Sequence, residues 1–273
     1  MSRIKLGLIV PLRTNLREEL ENVHKYGFPT CQVACWNMKL YNSDVAHLLK
    51  KLASDLGIEI TAIWAGLPGR YVWNFIDGPS TIGLVPLETR EIRIKALKKA
   101  SNFTREAGVE NIVTHVGFIP ENPKDPIYIS LIDVLKDVAK FCSDNGQFFL
   151  FETGQETPIT LLRTIEDVGA ENLGVNFDPA NLLMYGKANP IDALDILGTY
   201  VRGVHAKDGE YPTNGRELGK ERPLGEGRVN FPKLISKLKS LGYEGAITIE
   251  REISGPQQIV DILRAKKILE RLL

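Results

Sequence analysis

The sequence predicts an α/β protein whose eight parallel strands close into a (β/α)8 barrel, a single domain over residues 1–273. Three observations carry this expectation. Apolar runs rich in β-branched residues alternate with stretches of helical periodicity from one end of the chain to the other. The runs are apolar throughout, as in parallel strands covered on both faces. Pro11-Leu12-Arg13 follows the first run, where a doubly wound open sheet would usually place a Gly-rich phosphate loop.

Taken in order, the first strand is expected at 4–10 (IKLGLIV), followed by a helix in which Leu16, Leu20 and Val23 share a face. Asn15 stands as its cap, with Glu18 at capping-box spacing. The second strand is expected at 30–35 (TCQVAC); Val45, Leu48, Leu49, Leu52 and Leu56 form the next helical face after Asn42 and Ser43. The third, 58–64 (IEITAIW), runs into a long connection at 65–87. The fourth and fifth fall at 111–116 (NIVTHV) and 147–151 (QFFLF), and Thr157-Pro158 opens the helix after them. The sixth is 173–177 (LGVNF), before a helix opened by Asn189-Pro190. The seventh, 201–205 (VRGVH), precedes a second long connection at 206–230. The eighth is 246–249 (AITI), with Ser254 and Pro256 opening the last helix. Gly57, Gly108, Gly146 and Gly242 stand where helices should stop. Crossovers between parallel strands are right-handed, and eight such units are what a closed barrel requires, with a doubly wound open sheet as the alternative.

Composition narrows the partners. Lys plus Arg (34) equals Asp plus Glu (34), which argues against holding a phosphate backbone by bulk electrostatics, so no nucleic-acid partner is expected. No stretch reaches the ~20 apolar residues of a membrane span. The opening MSRIKLGLIVPLR reads as a strand and not a signal peptide, because its apolar run is short and meets Pro11 and Arg13. Cys31, Cys35 and Cys142 fit neither a zinc knuckle nor a redox pair and read as reduced core residues, consistent with a cytoplasmic location.

In a barrel the C-terminal strand ends converge on one mouth, so candidate residues are collected there regardless of sequence separation. The strands end at Trp36, Trp64, His115, Glu152, Asp178, His205 and Glu250. The last four are two Glu, one Asp and one His from four consecutive strands, spaced 26, 27 and 45 residues apart. Three carboxylates in one buried mouth repel one another and lose hydration, which a divalent cation would offset. Glu152, Asp178, His205 and Glu250 are therefore the predicted metal ligands. Three oxygen donors and one imidazole suit one divalent ion, with Mn²⁺ expected and Mg²⁺, Co²⁺, Zn²⁺ or Fe²⁺ as alternatives.

ETGQE (152–156), NFDPAN (176–181), VHAKD (204–208), PLGEGRVNF (223–231) and GYEGAITIE (242–250) resemble the xylose-isomerase-like barrel superfamily of sugar and sugar-phosphate isomerases and epimerases. The resemblance covers essentially the whole chain. It implies the barrel fold, a mononuclear metal held by Glu152, Asp178, His205 and Glu250, and acid/base roles for Glu152 and Glu250. A ketose chelating the cation through its carbonyl and neighbouring hydroxyl would lose the proton between them, because the cation stabilises the developing enediolate. One glutamate would take the proton, and the other would return it to the opposite face or the neighbouring carbon. Asn181 stands where members often have His, and no Arg follows His205 at the position common in ketose 3-epimerases. Endonuclease IV, also in the superfamily, needs more histidines than His24, His47, His115 and His205.

The substrate-binding candidates are His115, Glu156, Asn181, Lys207, Arg228, Trp36 and Trp64. Histidine and asparagine side chains hydrogen-bond hydroxyls, lysine and arginine bind anionic groups, and indoles offer flat walls for sugar C–H faces. Each also has an ordinary structural reading, with Glu156 as a first-turn acid and the indoles as barrel packing. Gly225-Glu226-Gly227 reads as a turn allowing close backbone approach to a ligand. The aromatic-rich loop 65–87 reads as a lid or as the contact of a homo-oligomer. The expected activity is a metal-dependent sugar isomerase or epimerase acting on a sugar or keto-sugar, unphosphorylated because phosphate ligands are scarce. A metal-dependent dehydratase or lyase on a keto-sugar or keto-inositol is the alternative, with endonuclease and non-catalytic sugar binder behind it.

Overall fold

The computed structural model describes residues 4–273; the first three residues of the predicted domain and of the opening segment lie outside the described residues. The strands are β1 (Lys5–Pro11), β2 (Thr30–Cys35), β3 (Glu59–Ala65), β4 (Asn111–Thr114), β5 (Phe148–Glu152), β6 (Leu173–Phe177), β7 (Val201–Ala206), β8 (Asp208–Gly209), β9 (Glu221–Arg222) and β10 (Ala246–Ile249). Eight of them close a parallel barrel in the order β1-β10-β7-β6-β5-β4-β3-β2, with helices outside, as the alternation predicts. Closure is made by β1 against β10, Lys5 opposite Ala246 and Leu8 opposite Ile249.

Strand side chains alternate in direction, so counting in twos sorts each strand into an outer and an inner face. The outer set, such as Val33, Phe149, Phe151, Val175, Phe177 and Ile247, packs into the continuous core beneath the helices. Phe149 and Phe151 meet edge to face at 5.2 Å. Burying each phenyl contributes about 2–3 kcal/mol. The inner set is different in kind. Ala62, Trp64, Val113 and Leu150 form a small separate cluster from β3, β4 and β5. On the facing strands the inner positions include the polar Gln32, Asn176, His205 and Thr248, and Gln32 of β2 donates to Asn176 of β6 at 2.9 Å across the barrel. Gly203 makes room for this pair, since a Cβ there would stand 2.5 Å from Asn176 Oδ1.

Most caps follow the sequence. Asn42, Thr157 and Asn189 each accept a backbone N–H of the first helical turn, from Val45, Thr160 and Ile191 respectively. Gly57, Gly108, Gly146 and Gly242 all adopt positive φ. Two expected caps differ. The Asn15 side chain does not cap Leu16–Lys25; its amide donates to Glu18 at 3.2 Å, which removes the capping box. The last helix starts at Pro256, but Gly255 with φ 90 occupies the cap position and Ser254 does not.

Both long connections are ordered by buried charges. Two arginines of helix Leu87–Glu106 turn inward: Arg93 donates to the carbonyls of Pro68, Gly83 and Arg70, and Arg90 to those of Leu84 and Val85. The aromatic loop is thus pinned to the helix that follows it. In the other connection β8 and β9 pair antiparallel, and the Asp208 carboxylate accepts the backbone N–H groups of Gly209, Gly225, Gly227 and Val229. The Gly225-Glu226-Gly227 turn therefore lets backbone approach Asp208, where the sequence suggested a ligand. Among the described residues no helix is long and apolar enough to cross a membrane, and all three cysteines are buried and unbridged.

Candidate metal centre

Glu152, Asp178, His205 and Glu250 continue the inner-face parity of Leu150, Asn176, Gly203 and Thr248, two residues earlier on the same strands. The barrel therefore aims all four at one point of its mouth. One ligand atom from each lies within 4.8 Å of the others. His205 Nδ1 stands 3.1 Å from Glu250 Oε2, 3.3 Å from Glu152 Oε1 and 3.7 Å from Asp178 Oδ2. Asp178 Oδ2, His205 Nδ1 and Glu250 Oε2 are buried without a hydrogen-bond partner among the described residues. Buried polar atoms are nearly always paired, and converging orphan lone pairs are the donor set a cation requires. The residues present thus fit a divalent metal ion.

The surroundings fix how each donor points. Asp178 Oδ1 caps helix Pro179–Met184 by accepting from Asn181 N at 2.8 Å, which leaves Oδ2 for the cluster. Glu152 accepts from the Trp64 indole and from the Asn176 and Asn181 amides. A carboxylate can only accept, so Asn176 must turn its amide nitrogen to Glu152 and its oxygen to Gln32. Gln32 in turn presents Oε1 to His205 Nε2 at 2.8 Å, so that nitrogen carries the proton and Nδ1 is the coordinating atom. Burial alone would lower the His205 pKa, but Glu152, Glu250 and Asp178 raise it well above the ordinary imidazole value. The positive charge so favoured is what a cation would replace. Gln32→Met is expected to weaken Mn²⁺ binding about 10–100-fold by isothermal titration; unchanged affinity would mean that the ring is oriented without it.

Above the cluster opens a cavity of about 290 Å³ lined by Trp36, Trp64, Trp73, His115, Glu152, Gln155, Asn181, Tyr185, Glu250 and Glu252, among others. Trp36 packs on Trp64 and Tyr71 with ring centroids 5.0 and 4.6 Å away, and Trp73 meets the His115 ring at 5.2 Å. Gly66 allows this seat, because a Cβ there would lie 2.5 Å from the Trp36 ring.

Residues 20–270 match the family described as xylose isomerase-like TIM barrel. The chain belongs to that family. A xylose isomerase domain protein from Planctomyces limnophilus is 36% identical, with a TM-score of 0.94 over 98% of this chain and 97% of that one. An uncharacterized protein of Methanocaldococcus jannaschii is 29% identical over 99% of this chain and 89% of its own length. The fold is also shared with a D-tagatose 3-epimerase-like protein, 22% identical with a TM-score of 0.76 over 98% of this chain and 97% of that chain.

Within this xylose isomerase-like barrel the remaining candidates fall in different places. His115 lines the cavity with Nε2 3.5 Å from Glu152 Oε1, and burial lowers its pKa towards the neutral form. Lys207 lies buried beside the cluster rather than in the cavity wall, 3.3 Å from Glu250, 3.1 Å from Glu252 and 3.2 Å from Asn181 Oδ1. Its charge is spent on carboxylates of the chain itself. Arg228 is not brought to the site: its side chain is exposed, because the turn anchored on Asp208 directs it outward. Glu156 is buried but lies neither on the cavity wall nor in the first turn of the helix, which begins at Pro158. Sequence reasoning missed Gln155, Tyr185 and Glu252, and read Trp73 only as part of the aromatic loop 65–87. They lie beyond the strand ends, where no periodicity indicates direction.

Glu156 has a measurable consequence. Burial pushes its carboxyl up to about 8. Between the ordinary carboxylate value and that point the folded chain keeps a proton that the unfolded chain has released, so stability falls as pH rises through the window. The Tm of Glu156→Gln relative to the parent is expected to climb from roughly pH 5 to pH 8. Melting curves at stepped pH check this, and a constant difference would contradict it.

Proposed function

We propose that the chain is a divalent-metal-dependent sugar isomerase or epimerase that moves a proton on a carbon next to a carbonyl. The observation that carries this reading is the cluster itself, four donors within 4.8 Å at the floor of an indole-walled cavity. A divalent cation held by Glu152, Asp178, His205 and Glu250 would supply Lewis-acid polarisation of the carbonyl and neutralise the charge that develops there. Mn²⁺ is the expected ion.

The chain's own residues would do the rest. Glu152 and Glu250 both border the cavity, and one is assigned to accept the substrate proton and the other to return it. Trp64, Asn176 and Asn181 immobilise Glu152, while Lys207 compensates Glu250 and Asp178. Trp36, Trp64 and Trp73 give the C–H face of a sugar a flat apolar wall and keep water from it. The cavity wall carries Glu152, Glu250 and Glu252, and the adjacent lysine is committed to them, which favours a neutral sugar over a phosphorylated one.

The test is incubation with Mn²⁺ and a panel of ketohexoses in D₂O. Deuterium entering the carbon beside the carbonyl, together with a changed sugar, is the expected NMR result. A panel that includes D-fructose, D-tagatose and D-psicose and shows no exchange with any divalent metal would overturn the reading.

A further inference from the structure

Three polar side chains on the cavity wall are buried yet have atoms with no hydrogen-bond partner among the described residues: Gln155 through both amide atoms, Tyr185 through its hydroxyl and His115 through Nδ1. Gln155 is 1% exposed and Tyr185 4%. Neither belongs to the metal cluster. Gln155 sits on the loop after β5, and Tyr185 ends helix Pro179–Met184 with its hydroxyl turned to the Gln155 side chain, close enough to interact but outside hydrogen-bonding geometry. Phe75 and Phe118 meet the Tyr185 ring edge to face, so its position is set by packing while its hydroxyl is left for the cavity.

Leaving such atoms unpaired is costly, and natural sites carry them where a ligand completes the pairing. From these observations we infer that Gln155 and Tyr185 form a hydroxyl-recognising subsite, which selects the sugar by hydroxyls remote from the carbon undergoing proton transfer. The assignment rests on the sugar isomerase reading and adds to it which residues choose the substrate. The chemistry of the pair fits uncharged hydroxyls. Gln155 offers an acceptor and two donors, and Tyr185, kept protonated by burial, offers a donor and an acceptor. A neighbouring pair of sugar hydroxyls can satisfy both residues at once, each hydroxyl donating to one and accepting from the other. A phosphate or carboxylate would find the nearby Lys207 already committed to Glu250 and Glu252, and would face those two carboxylates on the same wall. Sites built to pair a substrate hydroxyl discriminate strongly against analogues lacking it, because the buried partner is then left bare.

The test uses the Mn²⁺-loaded protein with D-fructose, D-tagatose, D-psicose and singly deoxygenated ketohexoses as probes. Binding is read by tryptophan fluorescence, since all three tryptophans of the chain line this cavity. Turnover is read by deuterium exchange. Tyr185→Phe removes one oxygen, Gln155→Met is a second and independent variant, and melting curves control for folding. The expected result is an affinity at least tenfold lower for the preferred sugar in each variant, and one deoxy sugar that parent and variant bind equally. If the parent binds and exchanges sugars but the variants keep its affinities and its ranking, the subsite is refuted while the isomerase reading stands. If the parent neither binds nor exchanges any sugar, both fail.

Discussion

Glu250→Gln and Glu152→Gln are each expected to lower kcat/KM on the true substrate by about a thousandfold or more, since general acid–base catalysis alone contributes roughly 10²–10⁴. Both residues also supply donors to the predicted ion, so metal content must be measured beside activity. The amides keep one coordinating oxygen but cannot carry the proton. A variant that holds its metal and has lost exchange into the substrate separates the two roles. Full metal content with full turnover in both variants would show the acid/base assignment to be wrong. Stripping the metal with a chelator should abolish activity and lower Tm. Re-adding Mn²⁺ at a hundred times its Kd should restore about 2.7 kcal/mol.

The second large effect is structural. Arg93→Met is expected to destabilise the fold by about 2–4 kcal/mol and to raise KM with it. Arg93 is buried, and neither it nor Arg90 has a carboxylate partner among the described residues; their charges are held by loop carbonyls. Removing Arg93 leaves the carbonyls of Pro68, Arg70 and Gly83 bare and releases the segment that carries Tyr71 and Trp73. Arg93→Lys should rescue little, because one ammonium cannot reach three diverging acceptors as a guanidinium does. Urea unfolding gives the stability change, and an unchanged midpoint would refute the pinning role. The same contacts hold both ends of the aromatic loop to the helix that follows it.

The barrel and the four clustered side chains were legible in the sequence for one reason: both depend on strand periodicity. An apolar run specifies a buried strand, its parity specifies the inner face, and barrel closure brings Glu152, Asp178, His205 and Glu250 together without knowledge of any loop. Where direction depends on tertiary contacts, the sequence misleads or is silent. Arg228 follows a Gly-Glu-Gly turn that could open towards the mouth, yet four N–H groups gathered by Asp208 turn it outward. Trp73 reaches the cavity only because buried arginines hold its loop. Gln32 and Asn176 read as strand positions among apolar neighbours, and only the closed barrel sets them side by side beneath His205. Asn15 carries the right spacing for a cap, but its amide spends itself on a neighbouring glutamate.

The pairing of β1 with β10 bears on how such a protein comes into being. A nascent chain extends from its amino end, so β1, complete at Pro11, waits for a partner that begins at Ala246. Until then β1 and β7 each present an open edge, a state prone to wrong association. The strand that removes both edges also brings Glu250, the last of the four donors, at its end. Closure and completion of the donor set are therefore one event, so an ion would meet all four donors only in a chain whose barrel has closed.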